Sequence, residues 1–137
     1  MVILFDQHNL PNNIYEVVFA TPQQVIVGRV LVDYLKKNNS EVTKSELSLF
    51  ATKLNDGKVI TQIEEEPFIG KKVKLSYNKR QFYDRILTPL RAMGIIYYDL
   101  YNKTYKLSDN FSKALANIGS LWSKEIEKKP LNVDFAE

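Results

Sequence analysis

The sequence predicts a mainly helical protein with a small β component, and three observations carry that expectation. Helix starts are written at Thr21, Thr43 and Asn78, each with a capping residue followed by apolar positions at helical spacing. The stretch "GIIYYDLYNKTYKL" at 94–107 sets two tyrosine-rich alternating runs around a polar Asn-Lys step, the pattern of a hairpin. A further apolar stripe at helical spacing follows from Phe111 to Ile126.

Taken in order, "VILF" at 2–5 and "IYEVVFA" at 14–20 have strand-like composition and flank the turn-rich "NLPNN". They predict a strand-like N-terminal arm over residues 1–20. In "TPQQV", Thr21 is the N-cap, Pro22 takes the first helical position, where a missing N–H costs nothing, and Gln24 completes a capping box. Val25, Val27, Leu31 and Leu35 give this helix a broad apolar face. Its many β-branched residues would suit a strand, but the cap and the length decide for a helix that stops in Asn38-Asn39-Ser40. "VTKSEL" repeats the device: Thr43 caps, Glu46 closes the box, and Val42 staples onto Leu47. Leu47, Phe50, Ala51 and Leu54 continue the apolar face until Asn55-Asp56-Gly57 ends it.

Residues 57–75 break the helical pattern. "KVITQI" and "KKVKL" alternate as strands do, around the loop "EEEPFIG". A third helix then spans 78–93, capped by Asn78 with Gln81 (Ser76 is the alternative) and stapled by Tyr77 with Phe82. Phe82, Ile86, Leu90 and Met93 follow at steps of 4, 4 and 3, and Gly94 stands where a left-handed C′ residue belongs. Pro89 removes the hydrogen bond to the Arg85 carbonyl and is expected to kink or break this helix. The opposite face carries Lys79, Arg80, Gln81, Asp84, Arg85 and Thr88. Asp84 is expected to pair with Arg80 one turn away or to orient an arginine.

With Asn102-Lys103 as a two-residue loop, Tyr101 faces Thr104, Leu100 faces Tyr105, Asp99 faces Lys106 and Tyr98 faces Leu107. One side of the hairpin is then apolar and the other polar, and a four-residue loop keeps this register. Ser108 or Asp109 caps a last helix over 109–128, where Phe111, Leu115, Ile118, Trp122 and Ile126 recur at steps of 4, 3, 4 and 4. That stripe either closes the core of one chain or joins two chains as a homodimer. Residues 129–137 read as a frayed tail.

Composition narrows the function. A chain of 137 residues suits one domain, and it contains no cysteine, so thiolate chemistry is excluded. His8 is the only histidine and has no partner nearby in sequence, and the five glycines form no phosphate-cradling loop. Consecutive Glu64, Glu65 and Glu66 could be read as a magnesium cluster, against the blander reading of a solvated loop. No enzyme and no cofactor are expected. The chain lacks a membrane-length apolar run and begins with nothing like a secretion signal, so a cytoplasmic protein without membrane contact is expected.

The net charge of +3 is modest but uneven. Residues 71–106 hold nine cations and two anions, +7, which leaves −4 for the rest of the chain. A basic segment on an acidic body points to a polyanion, and the alternative is a solvated face.

Helix, helix, basic helix, short hairpin, helix: this order, carried by "FYDRILTPLRAMGIIYYDLYNKTYKLSDNFSKAL", resembles the winged helix-turn-helix family of DNA-binding domains over roughly 21–127. The domain core would span 21–108. The resemblance implies sequence-specific binding of double-stranded DNA, as in a transcriptional regulator, with helix 78–93 in the major groove and hairpin 95–107 as the wing. Asn78, Lys79, Arg80, Gln81 and Arg85 would then read the DNA, and Asn102 and Lys103 would form the wing tip. Lys71, Lys72 and Lys74 would track phosphates or protect a sheet edge. Family members usually join their second and third helices by a short turn; here a strand-rich segment intervenes. Winged helices also serve as protein-contact modules in replication and transcription assemblies, which is the alternative reading.

Overall fold

A computed structural model describes residues 6–62 and 72–136. Its order is α1 (Ile14–Val18), α2 (Pro22–Lys37), β1 (Glu41–Thr43), α3 (Lys44–Asn55), β2 (Val59–Gln62) and β3 (Lys72–Leu75). A continuous helix over 79–92 follows, made of α4 (Lys79–Gln81), a π-helical turn (Phe82–Leu87) and α5 (Thr88–Ala92). The chain then runs through β4 (Ile96–Asp99), β5 (Thr104–Leu107) and α6 (Asn110–Glu127). The fold is mainly helical with two small antiparallel sheets, ordered β1-β5-β4 and β2-β3.

The anticipated caps are in place. Thr21 Oγ1 accepts from the Gln24 amide at 3.2 Å, Thr43 Oγ1 from Glu46 at 3.0 Å and Asn78 Oδ1 from Gln81 at 3.0 Å. Each satisfies one otherwise orphaned donor and fixes where its helix begins. Val42 and Leu47, the expected staple, are both buried. The α2, α3 and 79–92 helices meet in an aromatic column: Tyr34 stacks on Phe50 at 4.6 Å and Phe50 leans on Phe82 at 5.8 Å. Leu31, Leu35, Leu47, Leu54, Phe82, Ile86 and Leu90 fill the core around it.

Several expectations need correction. Residues 14–18 are helical rather than extended, because Asn13 Oδ1 caps the Glu16 amide at 3.0 Å; the Asn-x-x-Glu spacing outweighs the β-branched composition. Phe19, which follows, is buried under α2, where an added Cβ on Gly28 would sit 2.3 Å from its ring. The 2–5 run and the triple glutamate lie outside the described residues. Strand β1, which the sequence did not announce, pairs Glu41, Val42 and Thr43 with Lys106, Tyr105 and Thr104.

Pro89 does not break its helix. The preceding turn widens, with the Thr88 N–H bonding the Tyr83 carbonyl five residues back and the Thr88 hydroxyl donating to the same oxygen at 2.8 Å. A π turn relieves the clash that a proline ring makes with a normal α-helical carbonyl. The extra residue brings Leu87 onto the buried face beside Ile86, while Met93 is exposed.

The hairpin register differs by two residues. Asp99 opposes Thr104, Tyr98 opposes Tyr105, Tyr97 opposes Lys106 and Ile96 opposes Leu107, leaving a four-residue loop at 100–103. A shift of two preserves which face each side chain takes, so the apolar and polar sides survive although the partners change. Leu100, expected on the apolar side, sits in the loop and is 76% exposed.

Helix α6 starts from the far end of this unit. Ser108 Oγ accepts from the Asn110 amide at 3.1 Å, and the Phe111 N–H bonds the Gly94 carbonyl at 3.2 Å. Gly94 has φ +84, and a Cβ there would come within 3.0 Å of the Phe111 nitrogen, so glycine serves both the turn and the close approach. Beyond Phe111, every residue through 136 is exposed, and α6 buries none of its side chains. The stripe therefore does not close this chain's core.

Candidate nucleic-acid interface

The 79–92 helix presents its apolar side inward and its polar side to solvent. Arg80, Gln81, Asp84, Arg85, Thr88 and Arg91 are all exposed. Arg80 has 92% of its side chain accessible, with Asp84 at 3.9 Å. A solvated pair of this kind contributes about 0–1 kcal/mol, so an incoming phosphate or base edge can take Arg80 at small cost. Arg85 forms no ion pair among the described residues.

Lys79 departs from its expected role. Its ammonium group donates to Thr52 Oγ1 at 2.9 Å and Ser48 Oγ at 3.3 Å, and its amide donates to Asn55 Oδ1 at 3.0 Å. The residue fastens the start of the basic helix to α3 instead of projecting from it. Asn78, exposed, is likewise engaged as the cap. Of the five residues anticipated on the reading face, Arg80, Gln81 and Arg85 have exposed side chains, Arg80 beside Asp84, and two hold the helix in position.

Arg91 was missed. It sits one turn beyond Thr88 on the same exposed face, and its guanidinium lies 5.5 Å from the Tyr98 ring centre and 5.9 Å from that of Tyr105. Those two rings stack at 4.6 Å, giving the arginine an aromatic platform. Burial pushes the Tyr105 phenol above its usual pKa, opposed by the Arg91 charge. With Thr88, Ala92, Ile96 and Tyr97, Arg91 and Tyr98 line an open cleft of about 400 Å³ at this end of the helix. The sequence signal was the step of three from Thr88 within the helix expected over 78–93.

The hairpin tip is shaped by Asp99. Its carboxylate accepts from the Tyr101 amide at 3.0 Å, the Asn102 amide at 3.2 Å and Asn102 Nδ2 at 2.9 Å, with Lys106 Nζ at 3.4 Å. The Asn102 N–H, then its side-chain amide, are the leading causes that hold the Asp99 carboxyl below the usual carboxylate range. Lys103, not Asn102, takes the left-handed conformation, at φ +51. Asn102 thus braces the loop, and Lys103 remains exposed at its tip. Leu100 and Tyr101 stand beside it, Tyr101 98% exposed.

Helix α3 links the two groups. The Lys103 carbonyl accepts from the Lys44 amide at 2.9 Å at one end, while Ser48, Thr52 and Asn55 hold Lys79 toward the other. At 1.5 Å per residue, the loop and the first turn of the basic helix are anchored within ~17 Å of each other along one rigid element.

Lys72 and Lys74 occupy alternate positions of β3, opposite Gln62 and Ile60, and both are exposed, so the two charges share one side of the β2–β3 ribbon. Lys71 lies outside the described residues. His8 is exposed, and its amide donates to Asp6 Oδ1 at 2.7 Å in a local turn. Among the described residues, no three His, Asp or Glu side chains come together in a metal-binding arrangement, and no helix is long and apolar enough to cross a membrane. Comparison with protein families, curated proteins and solved structures found no match to this chain.

Proposed function

We propose that the protein is a winged-helix domain that binds double-stranded DNA and reads its sequence, as a transcriptional regulator does. The observation that carries this reading is the solvent face of the 79–92 helix, where Arg80, Gln81 and Arg85 are exposed, together with the exposed Lys103 at a hairpin tip anchored to the same helix α3. An α-helix fits the major groove, and Arg or Gln there can make paired hydrogen bonds to guanine or adenine edges. The Lys103 tip and the Lys72–Lys74 side of the ribbon contact phosphates and set the register without reading bases. The sheet order β1-β5-β4, with α3 ahead of the basic helix, supports the winged-helix assignment. The β2–β3 ribbon is then an insertion between the two helices, acting as a second wing. No step of catalysis is assigned.

A titration of labelled duplexes at several salt concentrations tests this. With ~4–6 phosphates neutralised, log affinity should fall against log salt with a slope of about −4 to −5. Arg85→Ala should cost about 1–3 kcal/mol on a preferred duplex and less on random DNA. Lys103→Ala should weaken both alike and reduce the slope by about 1. A salt-independent response, or no binding, would sink the proposal in favour of a protein-contact module. The exposed Leu100 and Tyr101 at the hairpin tip are the feature that favours that second reading.

A further inference from the structure

Helix α6 is amphipathic, and among the described residues nothing covers it beyond its first turn. Leu115, Ile118, Leu121, Trp122 and Ile126 are 51%, 57%, 66%, 66% and 63% exposed, and past Phe111 the helix buries no side chain among the described residues. Most helical stability in proteins comes from packing an amphipathic face, and a row of exposed large apolar side chains marks an interface.

We infer that the occupant is a second copy of α6, running antiparallel across a two-fold axis at Ile118-Gly119. The spacing points to self-pairing. Phe111, Leu115, Ile118, Gly119, Trp122 and Ile126 are separated by 4, 3, 1, 3 and 4 residues, which reads the same from either end. Laid against its own reverse, the helix sets Phe111 opposite Ile126 of the other copy, Leu115 opposite Trp122, and Ile118 opposite Gly119. A two-fold interface requires this self-complementarity, and a partner of unrelated sequence does not.

Gly119 supplies a second observation. It lies mid-helix, where glycine is less stable than alanine, yet a Cβ there would meet nothing within 4 Å. Within one chain the missing side chain serves no purpose. At a crossing it lets the two backbones approach closely. The charged Glu125 beside the stripe is held by Lys128 at 3.0 Å, so it brings no unpaired charge to the contact.

The pairing sets the distance between the two DNA-contacting heads; this consequence rests on the DNA-binding proposal. The Phe111 and Ser108 amides bond the Gly94 and Ile95 carbonyls, so each α6 is tied at its start to the end of a basic helix. In an antiparallel pair those starts lie at opposite ends, ~27 Å apart for 18 residues. That approaches the ~34 Å between successive major grooves on one side of a duplex, and predicts an inverted-repeat target.

The test uses the full chain, from low micromolar concentration upward. Sedimentation should give twice the 15.9 kDa chain mass, and emission of Trp122, the one tryptophan, should shift to the blue as concentration rises. Ile118→Glu should raise the dimer dissociation constant about 100-fold, as loss of a central anchor does, while circular dichroism shows the rest still folded. Orientation is read by oxidative cross-linking, since the chain has no cysteine of its own. A mixture of Leu115→Cys and Trp122→Cys chains should cross-link, and neither variant alone should. Efficient cross-linking of either variant alone would overturn the antiparallel arrangement, and a monomer at every concentration would overturn the dimer. A dimer that binds no DNA keeps the helix pairing and removes only the spacing consequence.

Discussion

The 79–92 helix and α6 carry nearly the same apolar rhythm and meet opposite fates. Phe82, Ile86 and Leu90, at steps of 4 and 4, are fully buried. Leu115, Ile118 and Trp122, at steps of 3 and 4, are all more than half exposed. Periodicity therefore tells that a helix has an apolar face, but not what covers it. Coverage is decided by attachment: the first helix is pinned to α3 through Lys79, whereas among the described residues α6 is held only at its first turn, by the Phe111 N–H on the Gly94 carbonyl.

Truncation tests that contrast most sharply. Phe82→Ala should cost about 3–5 kcal/mol of stability, from lost burial and the cavity left behind. Ile118→Ala, measured by denaturant unfolding at a concentration too low for association, should change stability by less than ~0.5 kcal/mol. Comparable losses for the two would mean that α6 packs on its own chain after all.

The same contrast explains what was legible in the sequence. Cap chemistry is local, so the starts of α2, α3 and the basic helix could be read from Thr21, Thr43 and Asn78, and the face division of the hairpin followed from alternation. The failures lie where a second element intervenes. Strand β1 is only three residues and exists because β5 is there to pair with it. The hairpin register depended on Asp99 gathering the Tyr101 and Asn102 amides into a four-residue loop, a side-chain effect that alternation does not encode. Pro89 was expected to kink or break the helix, and the π turn carries it onward without a break, so that Arg91 joins the exposed face that holds Thr88. For the candidate site, residue type suggested which cations belonged to it, but only the contacts separate Arg80 and Arg85 from Lys79, which is engaged by Thr52 and Ser48.

A smaller effect distinguishes the hairpin tip from the helix it flanks. Asp99 is favoured as the carboxylate in the folded loop, so its contribution is fully present above the ordinary value of 3.8 and is lost as pH falls through the depressed folded value. The Tyr101 and Asn102 amides should therefore lose hydrogen-exchange protection below that point, while the buried amides near Phe82 keep theirs. Asp99→Asn should remove the pH dependence. Equal loss at both places would indicate global acid unfolding instead of a local loop change.

The most direct test of the central claim is amide chemical-shift mapping as a duplex is added to the labelled protein. The account predicts that shifts concentrate at Arg80, Gln81, Arg85, Arg91 and the 101–103 loop, with Lys72 and Lys74 following, while the α1 surface around Tyr15 stays unchanged. Shifts confined to α1 or to the outer face of α6, with the basic helix and loop silent, would contradict it.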